Sequence, residues 1–219
     1  MRVAAASIAL AIVAHAAGAR AAEAAPARRP GELFLALGPG SALCDDKKPI
    51  SDCPVDGGFT LGVGGGWRFA PHFSVGGDLA LWGYHVRDAW KGKLDNPASE
   101  VTFSGVLLAP HLRWYWFGDG PVDAYLQAGV GFSSIQATAS NAQHDYKVEV
   151  TGTAWPVALG VEWIVLPSVR VGGQLLAYVQ ASKQKCETSD GVRTCTGTTE
   201  DENAIPWRAV AVGTWLFGG

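Results

Sequence analysis

The sequence predicts an all-β fold, namely a closed, eight-stranded antiparallel transmembrane β-barrel built as an up-and-down meander. Three observations lead to it. Every lysine lies in or beside one of four polar stretches, and the segments between them alternate apolar residues with Gly, Ala, Ser and a few ionisable residues. Such alternation without lysine indicates one face against lipid and the other against a narrow interior. The connections between segments also alternate between short and long. The lysines are Lys47, Lys48, Lys91, Lys93, Lys147, Lys183 and Lys185.

Composition excludes two other classes of protein. The 219 residues allow one domain or one barrel, and charged residues make up only 17% of them with a net charge of −3. No basic patch of the kind that binds nucleic acid is visible. After the N-terminal leader, no apolar run approaches the roughly 20 residues that a membrane helix needs.

The N-terminus reads as a secretory leader. Arg2 supplies a positive start, residues 3–13 are apolar, and small residues at a cleavage pattern follow. We predict a signal peptide over residues 1–21, a short periplasmic lead-in over 22–30, and an outer-membrane barrel over 31–219. The protein is therefore expected to be exported to the outer membrane of a Gram-negative cell.

Eight strand-like segments follow in order, each justified by apolar residues that recur at every second position. The segments, each with its apolar face, are 31–38 (Leu33, Leu35, Leu37), 57–69 (Phe59, Leu61, Val63, Trp67), 73–86 (Val75, Leu79, Leu81), 101–117 (Val106, Leu108, Leu112, Trp114, Trp116), 123–137 (Leu126, Val130, Phe132), 148–166 (Trp155, Val157, Leu159, Val161, Trp163), 169–180 (Val171, Leu175, Val179) and 206–217. The last is ambiguous, because Val210, Val212 and Leu216 mark one face and Trp207, Trp215 and Phe217 the other.

The connections predict which end of the barrel faces which side. Short turns at 70–72, 118–122 and 166–168 are expected in the periplasm, and four long extracellular loops are expected at 39–56, 87–100, 138–147 and 181–205. Alternation alone fits a soluble lipocalin-like barrel as well. The loop lengths, the glycine-rich second face and a girdle of aromatic residues beside the short turns favour the membrane. The girdle residues are Trp67, Phe69, Phe73, Trp114, Trp116 and Trp163.

With these features, the chain resembles the eight-stranded outer-membrane barrels of the OmpA/OmpX/OmpW-like class, over residues 31–219 and without a periplasmic domain. The resemblance rests on architecture and implies contact with outer-membrane lipid and lipopolysaccharide, and with the outer-membrane assembly machinery during insertion. Such barrels often end in an aromatic residue that this machinery recognises. Here the aromatic Phe217 is third from last, which departs from that pattern.

Four cysteines lie in the first and last long loops. Pairing of Cys44 with Cys53 and of Cys186 with Cys195 is favoured because each disulfide would clip one loop, although four cysteines permit three connectivities. Cross-pairing stays open, since the first and last loops become neighbours when a barrel closes. Metal binding is the weaker alternative, because the spacing is not CxxC and neither loop contains histidine.

The predicted interior contains a set of ionisable side chains that we expect to form a charge network in the lumen. They are Glu32, Arg68, Asp78, His111, Arg113, Glu162 and Arg170, with Asp123 at the periplasmic rim. Paired charges that plug the lumen are favoured over a gated conducting path, because eight strands leave room for little more than side chains.

A catalytic site is the least favoured hypothesis. His85 and Ser104, with Glu100 nearby, fall on the outer face of neighbouring strands and could form a lipid-cleaving site only if nucleophile and base met within hydrogen-bonding reach. We therefore expect a protein that is not an enzyme and uses no cofactor or metal.

The expected function is a monomeric barrel that displays disulfide-clipped loops to an extracellular ligand, in envelope integrity, adhesion or surface interaction. The alternative is a porin-like narrow pore or conduit for small molecules, and an outer-leaflet lipid-modifying enzyme is less favoured.

Overall fold

The computed structural model describes seven stretches of the chain. They are residues 29–43, 55–86, 100–117, 121–140, 145–189, 191–197 and 205–218. The predicted signal peptide, most of the lead-in, and the pair Cys44 and Cys53 lie outside the described residues.

The described residues form ten β-strands. They are β1 (Gly31–Leu43), β2 (Val55–Ala70), β3 (Phe73–Val86), β4 (Glu100–Tyr115), β5 (Val122–Gly129), β6 (Gly131–Ser140), β7 (Asp145–Leu166), β8 (Val169–Ser189), β9 (Val192–Gly197) and β10 (Ile205–Phe217). None of the described residues belongs to a helix long and apolar enough to cross a membrane.

Antiparallel pairing joins these strands into a hydrogen-bonded ring of eight positions. Each strand from β1 to β4 pairs with the next, β5 and β6 share one position between β4 and β7, and β7 pairs with β8. Strand β10 pairs with both β8 and β1, which completes the ring. The predicted eight-stranded meander is confirmed, and β9 is an additional strand paired with β8.

The fifth predicted strand is divided into β5 and β6. The interruption falls at Val130, which lies opposite Pro110 of β4 and donates its N–H to the Pro110 carbonyl at 3.3 Å. Proline has no N–H to return to the ladder. The regular pairing with β4 therefore stops at Gly129, opposite His111, and resumes at Phe132, opposite Leu108.

The two ends of the ring differ. The strand ends that connect β2 to β3, β4 to β5, and β7 to β8 lie at one end of the ring, here called the turn end. The ends that connect β1 to β2, β3 to β4, β6 to β7, β8 to β9, and β9 to β10 lie at the other, the loop end, whereas β5 and β6 meet at Val130 within one strand position. Three predicted long loops are wrong in extent. Strand β1 continues to Leu43 and β2 begins at Val55, within the predicted loop 39–56. Strands β6 and β7 continue to Ser140 and from Asp145, and most of predicted loop 181–205 is strand β9 and the end of β8. Apolar alternation could not predict the loop-end parts of β6, β7 and β8 or strand β9, because polar residues occupy both faces there.

The outer surface of the ring is an apolar belt made of the large hydrophobic side chains that the strands expose. The belt residues are Leu33, Leu35, Leu37, Phe59, Leu61, Val63, Trp67, Val75, Leu79, Leu81, Leu108, Leu112, Trp114, Val130, Phe132, Trp155, Val157, Leu159, Val171, Leu175, Val179 and Trp215. The structure also decides the ambiguous last strand. In β10, Trp215 and Phe217 face outward, while Val210, Val212 and Leu216 are buried in the lumen.

Large aromatic side chains occupy the lumen beside glycines, so the inner face is bulkier than the small, glycine-rich face that the sequence predicted. A Cβ atom added at Gly160 would overlap the ring of Tyr125, and one at Gly105 would overlap the ring of Trp82. The glycines on the inner face therefore make room for aromatic residues that project from neighbouring strands.

This packing leads to a stability prediction. Gly160→Ala should lower the free energy of unfolding by about 1–3 kcal/mol, because the new methyl group overpacks against Tyr125. Gly213→Ala is the matched control, since a Cβ there has no heavy atom within 4 Å. Urea unfolding followed by tryptophan fluorescence measures both variants. Equal effects of the two substitutions would contradict the packing argument.

Candidate functional site

The seven ionisable side chains predicted for the lumen are all buried in the structure. Glu32, Arg68, Asp78, His111, Arg113, Glu162 and Arg170 are each at most 7% exposed, and so is Asp123. They lie on seven strands, with His111 and Arg113 both on β4, and they meet because inward-facing positions of the strands project into one narrow space.

An ion-pair chain lies near the turn end. Arg68 lies between two carboxylates, with its Nη2 3.1 Å from Glu32 Oε1 and its Nη1 3.3 Å from Asp123 Oδ2. Asp123 Oδ2 is also 2.7 Å from Arg170 Nη1. The Arg68 guanidinium stacks over the ring of Tyr115, 3.6 Å from its centre. This chain spans the lumen from β1 through β2 and β5 to β8, so it ties non-adjacent strands together.

Glu32 is the acceptor on which several donors converge. The Tyr115 hydroxyl donates to Glu32 Oε2 at 2.9 Å, and Arg68 Nε donates to Oε1 at 3.1 Å. Arg113 Nη1 lies 3.8 Å from Oε2. Both oxygens of this buried carboxylate therefore have partners, which is the arrangement that a buried charge requires to be tolerated.

A second group lies next to this chain, farther from the turn end. Arg113 Nε donates to Gln127 Oε1 at 2.8 Å, and Gln127 Nε2 donates to Asp78 Oδ2 at 3.1 Å. His111 Nδ1 contacts Asp78 Oδ1. Glu32 is thus paired with Arg68, whereas the side chains in contact with Asp78 are a histidine and a glutamine.

Glu162 has a different kind of partner. It accepts a hydrogen bond from the Thr214 hydroxyl at 2.9 Å. Among the described residues, no cation lies within 4.0 Å of its carboxylate. The pairing of β5 with β7 places it beside Asp123.

The predicted charge network left out several residues that belong to the buried network in the structure. Four uncharged side chains take part in this network through hydrogen bonds, and a prediction based on charge does not include them. They are Gln127, Gln174, Tyr115 and Tyr125. Arg208 was missed for another reason. It lies on β10, whose faces the sequence left unassigned, although its even spacing from Val210 and Val212 would have identified it once that face was known to be inner.

One disulfide is present in the described residues. Cys186 of β8 and Cys195 of β9 lie directly opposite each other and are bonded, with a Cα–Cα distance of 4.0 Å. The predicted pairing of Cys44 with Cys53 lies outside those residues. No cluster of three or more His, Cys, Asp or Glu side chains suited to a metal ion is found in the part of the chain that the structure describes.

Loss of this disulfide should loosen the loop end and leave the ring intact. In Cys186→Ser/Cys195→Ser we expect faster amide hydrogen exchange in β9 and a local loss of about 2–3 kcal/mol, by the loop-closure estimate for a separation of 9 residues. Exchange in β2 and β3 is the internal control. If the double variant did not form the ring, the disulfide would be a core element of the fold.

The proposed catalytic residues lie apart from this network. His85 and Ser104 are both exposed on the outer face of β3 and β4, and Ser104 lies opposite Gly83. No hydrogen bond joins His85 to Ser104 among the described residues, and the side chain of Glu100 lies outside the described part. The structure therefore brings the two residues to one surface without assembling a nucleophile and a base.

Comparison with solved structures identifies the fold. A major outer membrane protein from Thermus thermophilus matches with a TM-score of 0.58 and 11% identity, over 85% of this chain and 99% of that one. Neisserial surface protein A matches with a TM-score of 0.55 and 13% identity, over 85% and 97%. The chain has the fold of the small outer-membrane β-barrels. OprG from Pseudomonas aeruginosa shares this fold, with a TM-score of 0.55 and 14% identity over 88% and 98%.

No family model and no curated protein matches the sequence. The barrel is therefore recognised from its three-dimensional arrangement, and the identities of 11–14% place the resemblance in backbone geometry. Nearly the full length of each of these neighbours is covered, so the shared unit is the whole ring.

Proposed function

We propose that this chain is a non-enzymatic outer-membrane barrel that presents a rigid recognition surface outside the cell, above a lumen blocked by buried charges. The proposal rests on the change from apolar to polar exposed side chains along β7 and β8. The apolar belt ends near Trp155 and Val179, and the same strands continue toward the loop end with polar side chains.

The apolar belt supports a location in a lipid bilayer. An exposed apolar surface that runs around the whole ring is far larger than the patches that soluble monomers tolerate. The ring is completed within one chain, which supports a monomer. Membrane lipid and lipopolysaccharide are then the partners of the belt, and insertion would use the outer-membrane assembly machinery.

The recognition surface is the loop-side sheet, formed by residues 133–140 of β6, 145–153 of β7, 181–189 of β8 and 192–197 of β9. Strands of 22 and 21 residues are about twice as long as a bilayer crossing requires, so this sheet would extend beyond the membrane. The disulfide fixes β9 to β8, and every residue of β9 is exposed. The charges on the sheet are mixed in sign and include Lys147, Glu149, Glu187 and Arg193.

Rigid display suits binding because an ordered surface loses little conformational entropy when a partner docks. Glu149 accepts from Arg193 at 3.3 Å and thereby links β7 to β9 across the sheet. We therefore propose an extracellular macromolecule as the ligand, contacted through mixed charges and through the outer edge of β9, which no described strand covers.

Surface display can be tested on intact cells. An epitope inserted between Asp190 and Gly191, beside β9, is expected to be detected by antibody without permeabilisation. The same epitope inserted between Pro71 and His72, in a turn at the opposite end, should be detected only after the outer membrane is permeabilised. The reverse pattern would overturn the proposed orientation, and equal detection of both would contradict a membrane-spanning ring.

The narrow-pore alternative has a direct electrical test. Because the chain from Glu32 through Arg68 and Asp123 to Arg170 crosses the lumen, the folded protein in a planar bilayer should show no discrete openings. A heat-modifiable shift in gel mobility verifies that the sample is folded. Regular single-channel openings by folded protein would favour transport over surface recognition as the function of the barrel.

A further inference from the structure

The loop-side half of the lumen differs in character from the charge network. Its buried side chains are mainly apolar and aromatic, including Trp82, Tyr84, Leu107 and Tyr178. The Trp82 and Tyr178 rings are in tilted contact with centres 5.6 Å apart. Between these side chains lies a cavity with a volume of about 10 Å³, which is room for about one water molecule. Of the described residues that line it, Arg208 alone is charged.

The backbone around Arg208 leaves space for its side chain. Arg208 lies on β10 opposite Gly40 of β1, and a Cβ at Gly40 would contact both Arg208 Cβ and Thr60 Oγ1. Farther along the side chain, a Cβ at Gly62 would lie 3.0 Å from Arg208 Nη1. Two glycines of neighbouring strands thus accommodate a long cationic side chain inside the ring.

Arg208 is only 4% exposed, yet Nε, Nη1 and Nη2 all lack a hydrogen-bond acceptor in the described part of the chain. Asp78 contacts His111 and Gln127, and no carboxylate of the described residues forms an ion pair with Arg208 within 4.0 Å. The other buried arginines of the lumen, Arg68, Arg113 and Arg170, all have carboxylates within 4.0 Å. Burying an unpaired cation costs free energy, so a negatively charged ligand beside Arg208 would stabilise the folded protein.

Neighbouring polar groups that are able to donate hydrogen bonds also lack partners. Thr60, Tyr178 and Trp82 line the same cavity, and their hydroxyls and indole N–H are buried without a hydrogen-bond partner among the described residues. Arginine and tryptophan side chains can only donate hydrogen bonds. A water molecule would offer two acceptor sites, whereas an anion accepts from every direction and also neutralises the guanidinium.

We propose that Arg208, with the hydroxyls of Thr60 and Tyr178, forms a binding site for one small halide ion in the loop-side half of the lumen. The donor set selects for negative charge. The small cavity selects for an ion little larger than water, and the surrounding aromatic and aliphatic walls exclude heavily hydrated oxyanions such as sulfate and phosphate. The site is separate from the ion-pair chain and does not depend on what the loop-side sheet binds.

The test uses the folded full chain in detergent micelles. The thermal unfolding midpoint is measured as chloride replaces gluconate at constant sodium concentration, because a ligand that binds only the folded state raises it. The midpoint of the unsubstituted chain should rise with chloride, and Arg208→Met should abolish the rise. Thr60→Val, which keeps the shape and removes one donor, should weaken the apparent chloride affinity about ten-fold. Arg29→Met, at an exposed arginine just before β1, is the control and should keep the full response.

Crystals grown in bromide give a readout that needs no variant. An anomalous peak within hydrogen-bonding distance of the Arg208 guanidinium is the expected result, and it also decides the matter if Arg208→Met fails to fold. The proposal is overturned if chloride and gluconate give the same midpoint in the unsubstituted chain, or if bromide is absent from Arg208. A rise in sulfate as large as that in chloride would overturn the halide assignment, since the cavity could not then be limiting size.

Discussion

Glu32→Ala is expected to lower the free energy of unfolding by about 3–5 kcal/mol, because it removes the buried carboxylate that Arg68, Arg113 and Tyr115 share. Arg68 would keep Asp123 as a partner, but Arg113 would lose the carboxylate at 3.8 Å, and the Tyr115 hydroxyl would lose its acceptor. The measurement is urea unfolding of the protein in phospholipid vesicles, followed by tryptophan fluorescence and heat-modifiable gel mobility.

The matched control for this prediction is Glu187→Ala. Glu187 is also a paired carboxylate on a strand, since its Oε1 lies 3.1 Å from Lys185 Nζ, but its side chain is 47% exposed. Surface ion pairs contribute about 0–1 kcal/mol, so this variant should be nearly neutral. Glu32→Gln should fall between the two, because it keeps the shape and an acceptor oxygen but loses the charge. Neutrality of Glu32→Ala would mean that water compensates the arginines and that the lumen is not a dry network.

Leu108→Arg is the second substitution with a large expected effect. Leu108 is 57% exposed on β4, opposite Leu79 of β3, in the middle of the apolar belt. If the belt faces lipid, arginine near the bilayer midplane should cost about 2–4 kcal/mol and reduce the inserted fraction. Val157→Arg, at another belt position, should behave in the same way.

Val192→Arg tests whether the cost of arginine at Leu108 comes from contact with lipid or from the substitution of an exposed apolar residue in general. Val192 is 70% exposed, more than Leu108, but it lies on β9 in the loop-side sheet. Arginine there should change the unfolding free energy by no more than about 0.5 kcal/mol, as is usual for surface substitutions. Folding and insertion of all three variants are compared in the same vesicles. A similar cost at Leu108 and Val192 would mean that the belt is not a lipid-facing surface.

The adjacent leucines of β4 illustrate how far the sequence predicts the two faces. Leu108 shares its parity with Trp114 and Trp116, so alternation alone assigned it to the outer surface. In the structure Leu107 is 1% exposed and Leu108 is 57% exposed. The assignment succeeds because the side-chain period of a strand is two, and a single unambiguous residue therefore orients the whole strand.

The same rule fails where both faces carry similar residues. In β10, apolar and aromatic residues occupy both parities, and only the pairing of β10 with β1 and β8 decides that Val210 and Val212 face inward. Arg208 has the same parity as Val210 and Val212, so the same pairing places it in the lumen. At the loop end, polar residues on both faces of β8 and β9 left no alternation to detect, although antiparallel pairing there is continuous.

Periodicity and connection length were enough to predict the class of fold, the number of strands in the ring, the outward face of seven strands and a set of ionisable residues that point inward. Both are properties of residues that are neighbours along the chain. Which charges meet could be read only from the folded ring, since closure and strand register bring Glu32, Arg68, Asp123 and Arg170 together. The missing partner of Arg208 is likewise visible only there, because side chains from across the ring determine whether a buried charge is satisfied.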